Sequence, residues 1–351
     1  VSSEFADALS DAATEHAFEQ EIVELRQALT RAQRSLSKAK AKEEAVVQAV
    51  YDAARDTILA HKTVKPVKAP VKDTRVRSEH FSLWDLGDWQ GTKITTSYNT
   101  GVMVDRVRLY LEKAAYFTAE QRMARPVRHC EVAFGGDMIE GLWNYPTQAW
   151  EVEHEPITQV VIVANLMAEV VRNALASHET VNVTPEWGNH GRVGSKRDGV
   201  PKETNLDRMA FILARQQLIP DIESGRLTWA DSTDDIQRLE YGNYRALVIH
   251  GDEIGRNGYA SPSTIVQHVN RWKSAYPWEF RDVYCHHYHT LMELTLADGK
   301  GRVYFNGATE SDNRYALVGM AASGTPSQRL HFVDPEKGLV VQRLDILLDG
   351  S

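Results

Sequence analysis

The residues in this chain able to do chemistry fall in five short polar clusters. In order they are Asp88-Trp89-Gln90-Gly91, Gly136-Asp137-Met138-Ile139-Glu140-Gly141, Gly188-Asn189-His190-Gly191, His250-Gly251-Asp252 and His287-Tyr288-His289. Carboxylates, side-chain amides and imidazoles are the oxygen and nitrogen donors that hard-to-borderline divalent cations take when two ions share one site. No single cluster is persuasive, because Gly-Asp and Asn-His pairs are common in loops. The ordered set is.

Holding these donors in place falls to the elements before them. Asp88 follows the apolar run Phe81-Ser82-Leu83-Trp84, and Asp137 follows Val132-Ala133-Phe134. Asn189 and His190 follow Val181-Asn182-Val183, and His250 follows Ala246-Leu247-Val248-Ile249. Each cluster starts where a strand is expected to stop, the edge at which the loops of an α/β scaffold converge. His287 and His289, two apart on a strand, point the same way and can serve adjacent ions.

From Phe81 the pattern alternates strands (81–86, 130–134, 180–187) with helices at Val102–Ala115, Ile157–Leu175 and Leu206–Leu218. After Leu227 strands dominate, at 237–241, 246–250, 283–287, 291–296, 302–306, 329–333 and 339–347. Asp298-Gly299 and Glu336-Lys337-Gly338 suit hairpins. The expectation is an α/β body whose second half is largely antiparallel.

Residues 1–60 read as a helical, coiled-coil-like segment. Ile22, Leu29, Leu36 and Val50 occupy one seam position, and Leu25, Ala32, Ala39, Val46 and Ala53 the other, with Glu43 interrupting. Such a seam serves a dimer, a helix folded back on its own chain, or a single amphipathic helix packed on its domain. Residues 61–78 form a basic Pro/Lys linker, whose lysines are either solvated or touch a polyanion. The body spans 79–351.

The 351 residues, 42% apolar and 25% charged, are ordinary for a soluble globular protein. Two cysteines without CxxC spacing exclude a disulfide framework and fit a reducing compartment. No unbroken apolar run reaches the ~18–20 residues of a membrane span, and no signal-peptide core is present, so the expected location is cytoplasmic. Net charge is −8, yet residues 61–78 carry 6 Lys/Arg against 1 Asp, so the acid lies elsewhere. An acidic body argues against wrapping duplex DNA by phosphate neutralisation.

Taken in order, the clusters resemble the calcineurin-like binuclear metallophosphoesterase family, whose pattern runs Asp-x-His, Gly-Asp, Gly-Asn-His-(Asp/Glu), His, then Gly-His-x-His. The resemblance covers Phe81 to the C-terminus and implies a layered α/β/β/α sandwich. Asn306-Gly307, Asp312 and Tyr315-Ala316 give it the flavour of the DNA-repair exonuclease branch and of phage-encoded relatives, placing it in a host cytoplasm if phage-encoded. It implies one metal held by Asp88, Gln90, Asp137 and His289, and a second by Asp137, Asn189, His250 and His287, with Asp137 bridging. The ions implied are two divalent metals, Mn2+ first, with Mg2+, Zn2+ or Fe as alternatives. The reaction implied is in-line hydrolysis of a phosphate ester by a two-metal-activated hydroxide, with His190 as the non-ligand catalytic histidine.

Three positions depart from the pattern. Gln90 stands where the family has His, weakening that ligand and favouring Mn2+ or Mg2+ over Zn2+. Gly191 removes the acidic residue after His190, a possible orienter of that ring. His286 replaces the Gly before His-x-His. For substrate contacts the candidates are Arg192, Lys196 and Arg197 in a basic loop, Arg256 with Asn257, and the aromatics Trp143, Tyr145 and Trp150, able to stack on bases. A solvated loop and ordinary aromatic packing explain the same residues.

Three functions compete: a metal-dependent phosphodiesterase acting on DNA, probed as exo- or endonuclease; a phosphoesterase for a nucleotide or cyclic nucleotide; and a non-catalytic coiled-coil assembly protein with a degenerate metal site. The coiled coil and branch resemblance favour the first, the acidic body the second. The expected partners are nucleic acid as substrate and a second copy of the chain, through the N-terminal helix or the phosphoesterase domain, with no membrane.

Overall fold

The computed structural model describes residues 65–144, 147–194, 204–230, 234, 236–254, 260–312 and 324–349. The chain divides into units Val1–Asp52 and Ala53–Ser351. The first, with its expected coiled coil, lies outside the described residues.

The body is built on two sheets. The first holds β1 (His80–Leu86), β2 (Val127–Gly135), β3 (Thr180–Glu186), β4 (Leu227–Trp229), β10 (Ser327–Asp334) and β11 (Leu339–Leu347), in the order β11-β10-β1-β2-β3-β4. β1 to β4 run parallel, and β10 and β11 are antiparallel additions. The second holds β5 (Gln237–Tyr241), β6 (Tyr244–Ile249), β7 (Asp282–Cys285), β8 (Met292–Thr295) and β9 (Arg302–Phe305), in the order β5-β6-β7-β9-β8.

Helices cover both outer faces. α1 (Thr100–Ala124), α2 (Pro156–Ser177) and α3 (Leu206–Gln217) lie on the first sheet's side, followed by the single turn α4 (Ile219–Glu223). α5 (Pro262–Ala275) packs Ile265 and Val269 onto Leu247, Ile249, Val283 and Phe305 of the second sheet. The opposite face of those strands, Ala246, Val248, Tyr284 and Tyr304, meets Phe81, Leu83 and Ala133 of the first. Alternate residues of one buried strand thus serve two cores, as a period of two requires. The layers are α/β/β/α.

Local signals explain the helix limits. Asn99 caps α1 by accepting from Val102 N, and Arg125-Pro126 ends it, because the residue before proline avoids helical geometry. Glu155 and Ser261 cap α2 and α5, each with Pro in the first turn. α2 is long and apolar enough to cross a bilayer by composition, but its Val160, Val163, Met167, Val170 and Val171 are buried inside the protein.

One expectation is corrected: His287 and His289 lie beyond the end of β7 in left-handed backbone, not two apart on a strand. Antiparallel pairs predominate after Leu227, at β5-β6, β8-β9 and β10-β11, while β6-β7-β9 run parallel because α5, absent from the sequence reading, supplies the crossover between β6 and β7. Over residues 65–78 the basic segment exposes Lys65, Lys68 and Lys72 to solvent, as a solvated linker would. It is extended and pinned to the body: Val67 N donates to Asp221, Asp73 N donates to Glu179, and Arg128 donates to the carbonyls of Asp73 and Arg75.

Candidate metal centre

All five clusters sit past the carboxyl ends of strands: Asp88 after β1, Asp137 after β2, Asn189 after β3, His250 after β6 and His287 after β7. Their loops are laced together by main-chain bonds. Asp88 N donates to Gly136 O, Gln90 N to Asp137 O and His286 N to His250 O, each at 2.9 Å. His287 N donates to the Asp88 carboxylate at 3.0 Å.

Backbone strain gathers at the same place. Asp88, Gln90, Asp137, His287 and His289 all hold positive φ, between 49° and 73°. Left-handed backbone is uncommon for residues with a Cβ and concentrates at functional sites. Gly188 permits this crowding, since a Cβ there would overlap the Asp137 backbone N and carboxylate.

The side chains form two ligand groups that share one carboxylate. Asp88, Asp137 and His289 place donor atoms within 4.8 Å of one another, as do Asp137, His250 and His287. In the first group His289 Nε2 is 3.4 Å from Asp88 Oδ1. In the second His250 Nε2 is 3.1 Å from Asp137 Oδ2 and 3.1 Å from Asn189 Oδ1. His250 Nδ1 donates to Gly135 O at 2.9 Å, so Nε2 is the nitrogen that faces the group and would bind a cation once its proton is displaced.

Gln90 completes the first group. Its Nε2 lies 3.4 Å from both Asp137 Oδ2 and His289 Nε2, while its buried Oε1 has no hydrogen-bond partner. Amide O and N exchange by a half-turn, which would bring the orphaned oxygen into the ligand group. The donor set and this orphaned oxygen fit a divalent cation in each group.

The cluster's own charges are strongly coupled. Burial pushes the Asp137 carboxyl up, but the attraction of His250 and His190 outweighs it and holds Asp137 well below the carboxylate range. Burial lowers His250, yet Asp137 raises it well above the usual histidine value. Burial, then the charge of His250, brings His287 down to about 4, so it is a neutral donor near pH 7. Burial opposes charge on His289 as well, but Asp88 and Glu310 lift it to about 10. Protons held this way are what a cation displaces on binding.

Among solved structures, Vps29 from Entamoeba histolytica with zinc aligns over 76% of this chain and 98% of its own, at 10% identity and a TM-score of 0.34. An archaeal phosphodiesterase aligns over 76% and 99%, at 12% identity and a TM-score of 0.35. YfcE, a phosphoesterase from E. coli, aligns over 76% and 99%, at 12% identity and a TM-score of 0.32. No protein-family model and no curated protein matches the chain. Likenesses this distant carry no argument, and the functional reading rests on the site itself.

His190 stands beside the ligand groups, its Nε2 3.8 Å from Asp137 Oδ2 and its N–H donating to Asp137 Oδ1 at 2.7 Å. Glu140 Oε2 lies 3.1 Å from His190 Nδ1. Burial lowers the His190 pKa, but Glu140 and Asp137 more than offset this and raise it. The orienter that Gly191 was expected to cost is thus supplied from another strand end. A Cβ at Gly191 would overlap the Asn205 side-chain oxygen and crowd Asp207, so a side chain there would have to displace Asn205. His286 fills the space over Gly87 and Gly135, and its Nε2 meets Asp85 at 3.1 Å.

Sequence reasoning missed Glu140 as a partner, and missed Lys93, Glu310 and Asp207. Glu310 Oε1 lies 2.7 Å from His289 Nδ1. Asp207 accepts from Ile139 N and Gly188 N, and burial together with the charge of Asp137 raises it to about 7. Only Glu140 lay in a quoted cluster; the others pair through space with residues remote in sequence. Of the substrate candidates, Arg192 is buried with Nε unpartnered, and Trp143 and Trp150 are 36% and 86% exposed. Tyr145, Lys196, Arg197, Arg256, Asn257 and Tyr315-Ala316 lie outside the described residues.

Proposed function

We propose that this protein is a two-metal phosphoesterase, and that its substrate is a phosphodiester of a nucleic acid. The carrying observation is the pair of ligand groups that share Asp137, with His190 beside them. Asp88, Gln90, Asp137 and His289 would hold one cation; Asp137, Asn189, His250 and His287 the other. Bound cations supply Lewis-acid polarisation of the phosphoryl group and activation of water.

The chain's own residues do the rest. His190, whose protonated form Glu140 favours, stands beside the cluster, placed to stabilise charge on phosphorus-bound oxygen or protonate the leaving oxygen. Gln148, whose Nε2 is 3.5 Å from His190 Nδ1 and which bonds the Glu140 carbonyl, anchors the loop that carries Trp143 and Trp150. An exposed indole two residues from an anchor touching His190 is a platform for a nucleobase. Arg192 supplies the phosphate-binding cation.

The net charge of −8 favours a second reading, a small nucleotide substrate that needs no broad basic face. Purified protein with Mn2+, assayed on single-stranded DNA, duplex ends, cyclic nucleotides and bis-p-nitrophenyl phosphate, separates the two. Turnover of DNA supports the first, and turnover of nucleotides alone the second. No turnover of any substrate, with metal bound, refutes both.

A further inference from the structure

Lys93 closes the turn after Gln90, its N–H donating to the Gln90 carbonyl at 2.9 Å. The side chain is buried, and its ammonium lies 2.9 Å from Glu310 Oε2 and 3.8 Å from Glu140 Oε2. Each of these carboxylates also meets a site histidine at Nδ1: Glu310 meets His289 at 2.7 Å and Glu140 meets His190 at 3.1 Å. The far nitrogens of both rings face the ligands, His289 Nε2 at 3.4 Å from Asp88 and His190 Nε2 at 3.8 Å from Asp137.

We infer that Lys93 is a positioning residue that, through Glu140 and Glu310, sets the orientation of both His190 and His289. A carboxylate on Nδ1 fixes which ring nitrogen turns toward the centre. Two buried carboxylates near one another repel and resist ionisation unless a cation stands between them, and a lone buried ammonium is equally costly. The network satisfies both needs at once. On Glu310, Oε2 lies 2.9 Å from the ammonium and Oε1 lies 2.7 Å from the imidazole. A compact ammonium does this where a planar guanidinium would claim both oxygens. Because Lys93 belongs to the same turn as Gln90, the loop that sets a ligand also sets the charge behind the two histidines.

The activity arm rests on the proposed phosphoesterase function; the metal arm does not. Lys93→Met in the full chain is measured for Mn2+ binding by calorimetry and for kcat and KM on bis-p-nitrophenyl phosphate. The expected result is kcat lower by about ten-fold or more with KM little changed, and one Mn2+ bound about ten-fold more weakly. In a His190→Gln background the added loss of kcat should shrink to about two-fold or less, as coupled residues require and a purely structural defect would not. Should Lys93→Met not fold, Lys93→Met with Glu310→Gln removes both charges and takes its place. Wild-type Mn2+ binding and kcat in the variant that folds, or full additivity with His190→Gln, overturns the inference. If the wild type hydrolyses nothing, the functional reading falls and Mn2+ binding alone decides the role of Lys93.

Discussion

His178 links the frame of the site to pH. It caps the end of α2, fully buried, with Nε2 2.9 Å from Ser82 Oγ of β1 and Nδ1 2.9 Å from the Ala174 carbonyl. Burial, reinforced by the positive charge of Arg122, brings its pKa from 6.5 to about 3. The folded protein therefore keeps this ring neutral where the unfolded chain would protonate it. A base with a depressed folded pKa contributes stability that is fully present above 6.5 and is lost as pH falls toward 3. At ~1.4 kcal/mol per unit, lowering pH from about 7.5 to about 4.5 should cost ~2–3 kcal/mol through this ring alone. That is a sizeable share of the ~5–15 kcal/mol that holds a typical domain together. The assay is urea unfolding in EDTA at both pH values, for wild type and His178→Gln. The variant should lose stability at the higher pH, yet show a pH-induced loss smaller than the wild type's by ~2–3 kcal/mol. Equal losses in the two proteins, within ~0.5 kcal/mol, would refute the reasoning.

Other consequences follow from the same geometry. Gln90→Leu keeps the volume but removes the amide, and should reduce bound Mn2+ to the ion held by Asn189, His250 and His287, as metal analysis will show. Gly188→Ala drives a Cβ into the Asp137 backbone and carboxylate; it should weaken both ions together and cost ~1–3 kcal/mol in denaturant unfolding. Ile265→Ala on α5 should cost ~2–5 kcal/mol while leaving Mn2+ stoichiometry unchanged, because it packs on the face of the second sheet away from the first.

Much of the scaffold was legible because each ligand cluster interrupts an apolar run, and a strand that stops at a polar residue leaves a plain trace. That trace marks Asp88, Asp137 and His250 as candidates, and the order of the clusters, through the family they resemble, gives them their roles. α5 was not, because only Ile265 and Val269 of its fourteen residues are buried, a stripe too narrow to stand out in polar sequence. Missing that helix hid the crossover that makes β6 and β7 parallel. α1 runs past the expected end at Ala115 to Ala124, because its last turns bury only Thr118 and so carry no apolar stripe. The carboxylates behind the histidines were illegible for another reason. Glu310 lies 21 residues from His289 and Lys93 lies 47 from Glu140 in the numbering, and no periodicity connects a charge to a partner that only folding brings near.

Asp137 belongs to both ligand groups, so both ions depend on that one carboxylate. The direct measurement is calorimetric titration of wild type and Asp137→Asn with Mn2+. The expected result is two Mn2+ per chain in the wild type and loss of tight binding at both sites in the variant. A wild type that binds no Mn2+, or a variant that loses only one ion, would contradict it.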